Sequence, residues 1–154
     1  MMRFFILSAV LLAPLGVIAA PPPKLHDAGS NVVIPPPCIA MDPPPSEDET
    51  QMRFGKFAYA FIIKKNLTEA FEYVSSTYIN HQPLAGEDGP DAALKVLGPM
   101  WEEKTLIPLR TAFKSDQGWL DYMASGAGEI IDRFRWEAGC IVEHWDDGGK
   151  FPDF

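Results

Sequence analysis

The hydrophobic period of the chain changes near Leu106, and this change constrains the fold more than any other feature. Before it, apolar residues recur at helical spacing in three stretches between Gln51 and Trp101. After it, apolar and polar residues alternate in four short runs separated by turns. Three helices followed by a four-stranded antiparallel meander predict an α+β domain, in which helices cover one face of a curved sheet. Such packing leaves a cavity between the helices and the sheet.

The element boundaries follow from turn and cap residues. Asn66, with Glu69 three residues later, predicts the N-terminus of a second helix that continues through Val74. Pro90 is typical of the first turn of a helix and predicts the start of the third. The predicted strands cover residues 106–114, 119–125, 129–136 and 140–146.

The N-terminal third has a different composition from the rest. Arg3 precedes an apolar run, and small residues at Val17 and Ala19 suit signal peptidase, so residues 1–19 are predicted to be a secretory signal. Residues 20–48 contain three Pro-Pro-Pro runs, which predict an extended arm. The folded domain is then expected over residues 49–147, with a tail at 148–154.

Charge and cysteine content limit the partners. The net charge of −8 argues against nucleic acid and anionic membrane surfaces and fits a neutral, cationic or small partner. A secreted chain with two cysteines, Cys38 and Cys140, has either one disulfide or two free thiols. Asn66-Leu67-Thr68 is an acceptor triplet for N-glycosylation in a eukaryotic host.

The last predicted hairpin carries the strongest chemical signal. A three-residue loop at 137–139 would place Asp132 opposite His144, on the face that also carries the ligand-contact candidates Phe134, Trp136 and Val142. A carboxylate beside an imidazole can transfer protons, or it can be a structural pair that holds the hairpin. A two-residue loop would shift the register and break the pair.

His81 is the other candidate, because it follows the predicted second helix and could reach the cavity mouth. With Asp132 and His144 it would form a two-histidine, one-carboxylate set, but the spacing matches no metal motif, so no metal is expected. The chain has neither a glycine-rich phosphate loop nor a nucleophile elbow.

Several stretches resemble the SnoaL-like polyketide-cyclase family of the nuclear transport factor 2-like superfamily. They are Tyr78-Ile79-Asn80-His81-Gln82-Pro83 with Asp88-Gly89, then Ile131-Asp132-Arg133-Phe134-Arg135, then Gly139 and Ile141-Val142-Glu143-His144-Trp145-Asp146. The resemblance covers roughly residues 51–147. It implies a cone-shaped fold with an apolar pocket, no cofactor, and a homodimer formed through the outer sheet face.

The resemblance also implies roles for particular residues. Asp132 matches an acid–base aspartate, with His81 and His144 as pocket histidines. A histidine that the family commonly carries on the 119–125 strand is missing, and Tyr122 is expected to line the pocket there instead. Two functions follow: a cofactor-free enzyme that enolises a small carbonyl compound, or a secreted protein that binds an apolar molecule without chemistry.

Overall fold

The computed structural model describes residues 32–146 and 149–154. The predicted signal and the first part of the arm lie outside the described residues. The elements are α1 (Glu47–Ala58), a π-helical turn (Tyr59–Ile63), α2 (Leu67–Phe71), β1 (Val74–Asn80), α3 (Pro90–Leu97), β2 (Leu106–Lys114), β3 (Gln117–Ala124), β4 (Gly128–Glu137) and β5 (Cys140–Trp145). Within the described part of the chain, each helix is too short or too polar to cross a bilayer.

The strands form one sheet in the order β1-β5-β4-β3-β2. The meander from β2 to β5 is antiparallel, as the alternation predicts, and β1 pairs in parallel with β5. The α+β class is therefore confirmed, with five strands rather than four. The prediction that the second helix continues through Val74 is wrong: α2 ends at Phe71, and the β-branched and aromatic run that follows pairs with β5.

Local sequence explains where two helices begin. At α1, the Ser46 side chain accepts from the Glu49 backbone N–H, and the Glu49 carboxylate accepts from the Ser46 N–H. This capping box places the start of the helical domain at Glu47, two residues earlier than the predicted boundary. At α2, the Asn66 side chain accepts from the Glu69 N–H, which is the predicted cap.

The proline-rich arm lies against the domain from Val32 onward, so it is not a free spacer in this part. The Cys38 N–H donates to the Val74 carbonyl at 2.8 Å, and the Met41 N–H donates to the Ala138 carbonyl at 2.9 Å. A disulfide joins Cys38 to Cys140 across 102 residues of chain. Of the two alternatives for the cysteines, the structure has the bridge.

The core lies between α1 and the concave face of the sheet. Phe57 packs edge-on to Phe134 at 4.8 Å, and Phe54 packs edge-on to Trp136 at 6.3 Å. α1 approaches the sheet so closely at Gly118 that a Cβ there would lie 2.6 Å from the Phe54 ring. Aromatic side chains thus fill one end of the space between helices and sheet.

The C-terminal segment, residues 149–154, lies on the opposite, outer face of the sheet. The Arg110 guanidinium stacks on Phe151 at 4.1 Å, and Phe154 packs against Trp119 at 5.7 Å. Arg110 also forms an ion pair at 2.7 Å with Asp121, which is only 2% exposed. The segment is therefore part of the folded unit rather than a detached tail.

Candidate functional site

A cavity of about 380 Å³ lies between the helices and the other end of the sheet. Its volume falls near the lower end of the range, roughly 300–1,000 Å³, that is typical of small-molecule sites. Most of the wall is aromatic or aliphatic, and the polar groups gather where β1, β4 and β5 meet. The aromatic lining residues are Phe57, Phe61, Phe71, Tyr78, Trp101, Tyr122 and Phe134.

Asp132 is the central polar residue of this wall, and its carboxylate is almost fully buried. The Tyr122 hydroxyl donates to Asp132 Oδ2 at 2.9 Å, and His144 Nε2 lies 3.1 Å from Asp132 Oδ1. Asp132 is 3% exposed, so the loss of hydration must be compensated by these two partners. Tyr122 therefore stands beside Asp132 on the strand where the resemblance led us to look for a histidine.

The predicted pairing of Asp132 with His144 is found, although the register that led to it is wrong. The hairpin has a two-residue turn at Ala138 and Gly139, both with positive φ, so Glu137 pairs with Cys140. An irregularity after Arg135 shifts the register by one more residue. The two shifts together move the register by two residues, so the side chains of Asp132 and His144 still lie on the same face of the sheet. His144 is directly opposite Phe134, and Asp132 meets it diagonally.

The second ring nitrogen of His144 identifies the proton arrangement. His144 Nδ1 lies 3.2 Å from Asn80 Oδ1, which also accepts from the Gln82 backbone N–H at 3.1 Å. Because this N–H must face an oxygen, the Asn80 amide orientation is set and Nδ1 of His144 carries a proton. The other ring nitrogen, Nε2, faces Asp132 Oδ1, so the His144 ring bridges Asn80 and Asp132.

Aromatic rings hold the His144 ring in place from the cavity side. Phe134 stacks on it with ring centroids 4.8 Å apart and an interplanar angle of 21°. Tyr78 lies nearly parallel to it at 6.5 Å and 18°. A ring held this way keeps Nε2 directed at Asp132, which is the preorganisation that proton transfer requires.

Burial and charge perturb three other titratable groups of the cavity. Burial, with a contribution from Asp132, raises the pKa of both Tyr78 and Tyr122 far above the ordinary phenol value. Both phenols therefore remain protonated over the physiological range. Burial also raises the pKa of Asp146 above its usual value, and the nearby Asp132 carboxylate adds to this rise.

Two of the predicted ligand-contact residues lie elsewhere. Trp136 is 2% exposed and packs in the core against Phe54 and Phe57, away from the cavity lining. Val142 lies in a surface groove on the outer face, because the shifted register places Ile141 on the cavity side instead. Their assignment to the pocket was wrong.

The prediction for His81 is also wrong. Its Nε2 lies 2.8 Å from Glu143 Oε1, and its ring stacks on Trp145 at 5.0 Å, on the outer surface. The physical reason is the strand alternation of β1, which directs Tyr78 and Asn80 into the cavity and their neighbours outward.

Three cavity groups were missed: Asn80, Gln82 and Asp146. All three lie within the stretches that carry the family resemblance, and reading β1 as a strand would have selected Asn80. Gln82 Nε2 donates to Asp146 Oδ2, which links the end of β1 to the end of β5.

Among residues 32–146 and 149–154, no cluster of three or more histidine, cysteine, aspartate or glutamate side chains could hold a metal ion. The outward position of His81 removes it from the two-histidine, one-carboxylate set considered from the sequence.

Comparison with known proteins supports the fold assignment. No protein-family model and no curated protein sequence matches the chain. Solved structures do: AclR from Streptomyces galilaeus has a TM-score of 0.52 at 14% identity, over 66% of this chain and 89% of that one. TsrD from Streptomyces laurentii has a TM-score of 0.51 at 15% identity, over 67% and 90%.

A third structure, an NTF2-like protein of unknown function from Cytophaga hutchinsonii, has a TM-score of 0.50 at 14% identity, over 64% and 89%. At these identities the likeness concerns the fold. Together with the helices that close over a curved sheet, it shows that the chain has the nuclear transport factor 2-like fold.

Proposed function

We propose that the protein is a cofactor-independent acid–base enzyme that enolises a small apolar carbonyl compound in this cavity. The observation that carries the proposal is the buried carboxylate of Asp132, which lies in the cavity wall and is held from both sides by Tyr122 and His144. A carboxylate removed from water but fixed by donors is a preorganised base. Aldol-type, cyclase and isomerase reactions of carbonyl compounds all begin with this step.

The proposed step is the removal of a proton from the carbon next to the carbonyl. Asp132 takes the proton, the C–H bonding electrons become the enolate, and the carbonyl oxygen gains negative charge. His144 and Tyr122 keep the carboxylate oriented. The Tyr78 hydroxyl, which stays protonated and lines the same wall, is the donor suited to the enolate oxygen in place of the outward-facing His81.

Hydrogen exchange at the α-carbon tests this step without knowledge of the final product. A panel of small ketones and aldehydes is incubated with the protein in deuterated water, and deuterium incorporation is followed by NMR. We expect Asp132→Asn to reduce the catalysed exchange by about 10²–10⁴-fold, while His81→Gln, on the outer surface, leaves it unchanged. Exchange that is equally fast in Asp132→Asn would contradict the proposal.

The alternative function is non-catalytic binding of an apolar molecule. It is supported by the mostly apolar wall and by the fact that both oxygens of Asp132 already have a hydrogen-bond partner. A binding protein would lose affinity in Phe134→Ala and tolerate Asp132→Asn. An enzyme would lose turnover in Asp132→Asn even where ligand affinity persists.

We further propose that the protein is secreted, with residues 1–19 removed and Asn66 glycosylated. Asn66 is exposed, and the disulfide between Cys38 and Cys140 suits an oxidising compartment. N-terminal sequencing of protein recovered from the medium, and its mass before and after removal of N-linked sugar, test these points. An intact N-terminus or an unchanged mass would contradict them.

The homodimer stays a prediction. Phe151 and Phe154 cover part of the outer sheet face, and Trp145 lies between His81 and the Arg133 guanidinium on the same face. A dimer through this face would therefore form over the C-terminal segment. Light scattering at micromolar concentration gives the answer, and a monomer mass would rule the dimer out.

A further inference from the structure

We propose that the cavity selects ligands in which a basic amine is attached to an apolar body, with Asp146 as the counter-ion of the ammonium group. The proposal rests on the proposed function insofar as both take this cavity as the ligand site. It adds the chemical class of the ligand and assigns a role to a carboxylate that the proton-transfer step does not use.

The polar end of the cavity carries more acidic than basic side chains in the described part of the chain. Of the residues that the structure describes, Asp132 and Asp146 are the two carboxylates of the lining, and His144 Nε2 lies 3.1 Å from Asp132 Oδ1. Among the described residues, Asp146 has Gln82 as its side-chain partner and forms no ion pair with a lysine or arginine. Asp146 therefore presents a carboxylate to the cavity without a lysine or arginine partner within residues 32–146 and 149–154, and His144, a basic neighbour, contacts Asp132 instead.

Lys104, the one lysine of the lining within the described part of the chain, does not neutralise this end. Its Nζ donates to the Ser125 carbonyl at 3.1 Å, in an exposed position at the end of β3. Solvent screens a charge in such a position much more than one inside the cavity. An anionic ligand would thus meet Asp146 without a cation at hand, whereas an ammonium group would complete the pair.

Aromatic side chains surround the polar end of the cavity. Tyr78, Tyr122, Phe134 and Trp101 line the same cavity, and the faces of aromatic rings attract cations. The apolar body of the ligand would fill the end lined by Phe57 and Phe61. A desolvated ammonium group beside aromatic faces and a carboxylate is a recurring way to recognise amines.

The two carboxylates of the cavity also act on its two phenols, Tyr78 and Tyr122. The carboxylates of Asp132 and Asp146 both contribute to the raised pKa of Tyr78 and Tyr122, after the larger effect of burial. Both carboxylates therefore lie close enough to the two phenols to act on them. A ligand carboxylate or phosphate would add to this unfavourable charge, and an ammonium group would offset it.

Three probes with the same apolar body isolate the charge: 4-phenylbutylamine, 4-phenylbutan-1-ol and 4-phenylbutanoate. Binding to the full secreted protein is measured by isothermal titration calorimetry in phosphate buffer at pH 7 and low salt. We expect the amine to bind about tenfold more tightly than the alcohol, as a charge-assisted hydrogen bond exceeds a neutral one by about that factor. The acid should bind most weakly.

The variants assign the preference to one residue. Asp146→Asn should bind the amine and the alcohol equally, whereas Glu137→Gln, an exposed carboxylate outside the cavity, should keep the preference. Asp132→Asn should also keep it while losing α-proton exchange, which separates this proposal from the proposed function. The wild-type comparison stands even where a variant fails to fold.

Equal binding of amine and alcohol by the wild type would overturn the proposal, as would the absence of binding by all three probes at millimolar concentration. A preference that survives in Asp146→Asn would also overturn it.

Discussion

Removing the bridge between Cys38 and Cys140 should lower the free energy of unfolding by several kcal/mol. The two cysteines are 102 residues apart, so the bridge closes most of the described chain into one loop. In the chain-entropy model, a loop of about 100 residues corresponds to about 4.7 kcal/mol at 25 °C. Residual compactness of the unfolded chain reduces this figure, and the expected loss is about 3–5 kcal/mol.

In the folded state, the arm keeps its other contacts with the domain when the disulfide is removed. The Cys38 and Met41 N–H groups keep their backbone acceptors, and Arg53 Nε still donates to the Gly139 carbonyl at 2.7 Å. Cys140 is 2% exposed, so alanine is the appropriate replacement because it buries no new polar group. The change should therefore act mainly on the unfolded chain.

Urea unfolding followed by tryptophan fluorescence measures the effect. The double variant Cys38→Ala, Cys140→Ala should have a lower midpoint and a larger slope m, because its unfolded state is more expanded. Reduced wild type is the matched control and should coincide with the variant. A midpoint equal to that of the oxidised wild type would refute the reasoning, and a reduced wild type that unfolds like the oxidised form would show that the bridge is absent.

Two further predictions concern packing and pH. Gly118→Ala should lower the free energy of unfolding by about 1–3 kcal/mol, because its Cβ would lie 2.6 Å from the Phe54 ring. Gly55→Ala, with open space around it in α1, should raise it by about 0.5–1 kcal/mol. Equal urea midpoints for the two variants would contradict this. Burial and Asp132 raise the folded-state pKa of Asp146 above its ordinary 3.8, so wild type loses stability as the pH rises through that raised pKa. Asp146→Asn should therefore be more stable than wild type at pH 7, and this difference in stability should disappear below pH 3.8. A difference in thermal unfolding temperature that does not change with pH would contradict the prediction.

The sequence was informative wherever the hydrophobic period was long and the turns were marked. The strands β2 to β5 match the predicted ranges within two residues, because turns of Ser, Asp, Ala and Gly residues separate them. β1 was missed because Val74–Asn80 directly follows a short helix, and the choice between the two periods depends on pairing with β5, which is 60 residues away or more. Parallel pairing of this kind leaves no local turn signal.

The candidate site depended on details that alternation cannot supply. The irregularity after Arg135 adds a residue to one strand, and no feature of the local sequence predicts it. Asp132 and His144 lie on the same face because the two one-residue shifts add up to two residues, which restores the alternation, while Val142 and Trp136 were assigned to the wrong surroundings. His81 was a candidate because it was expected to follow a helix and reach the cavity mouth, whereas the alternation of strand β1 directs its neighbour Asn80 into the cavity.

The most direct test of the proposed enzyme function is a crystal structure of the protein purified from its native source, with the cavity inspected for a bound molecule. We expect density for an apolar compound whose carbon next to the carbonyl lies within reach of Asp132, with the Tyr122 and His144 contacts retained. A collapsed cavity, in which Asp132 and His144 form a pair inaccessible to any ligand, would contradict it and make the pair structural.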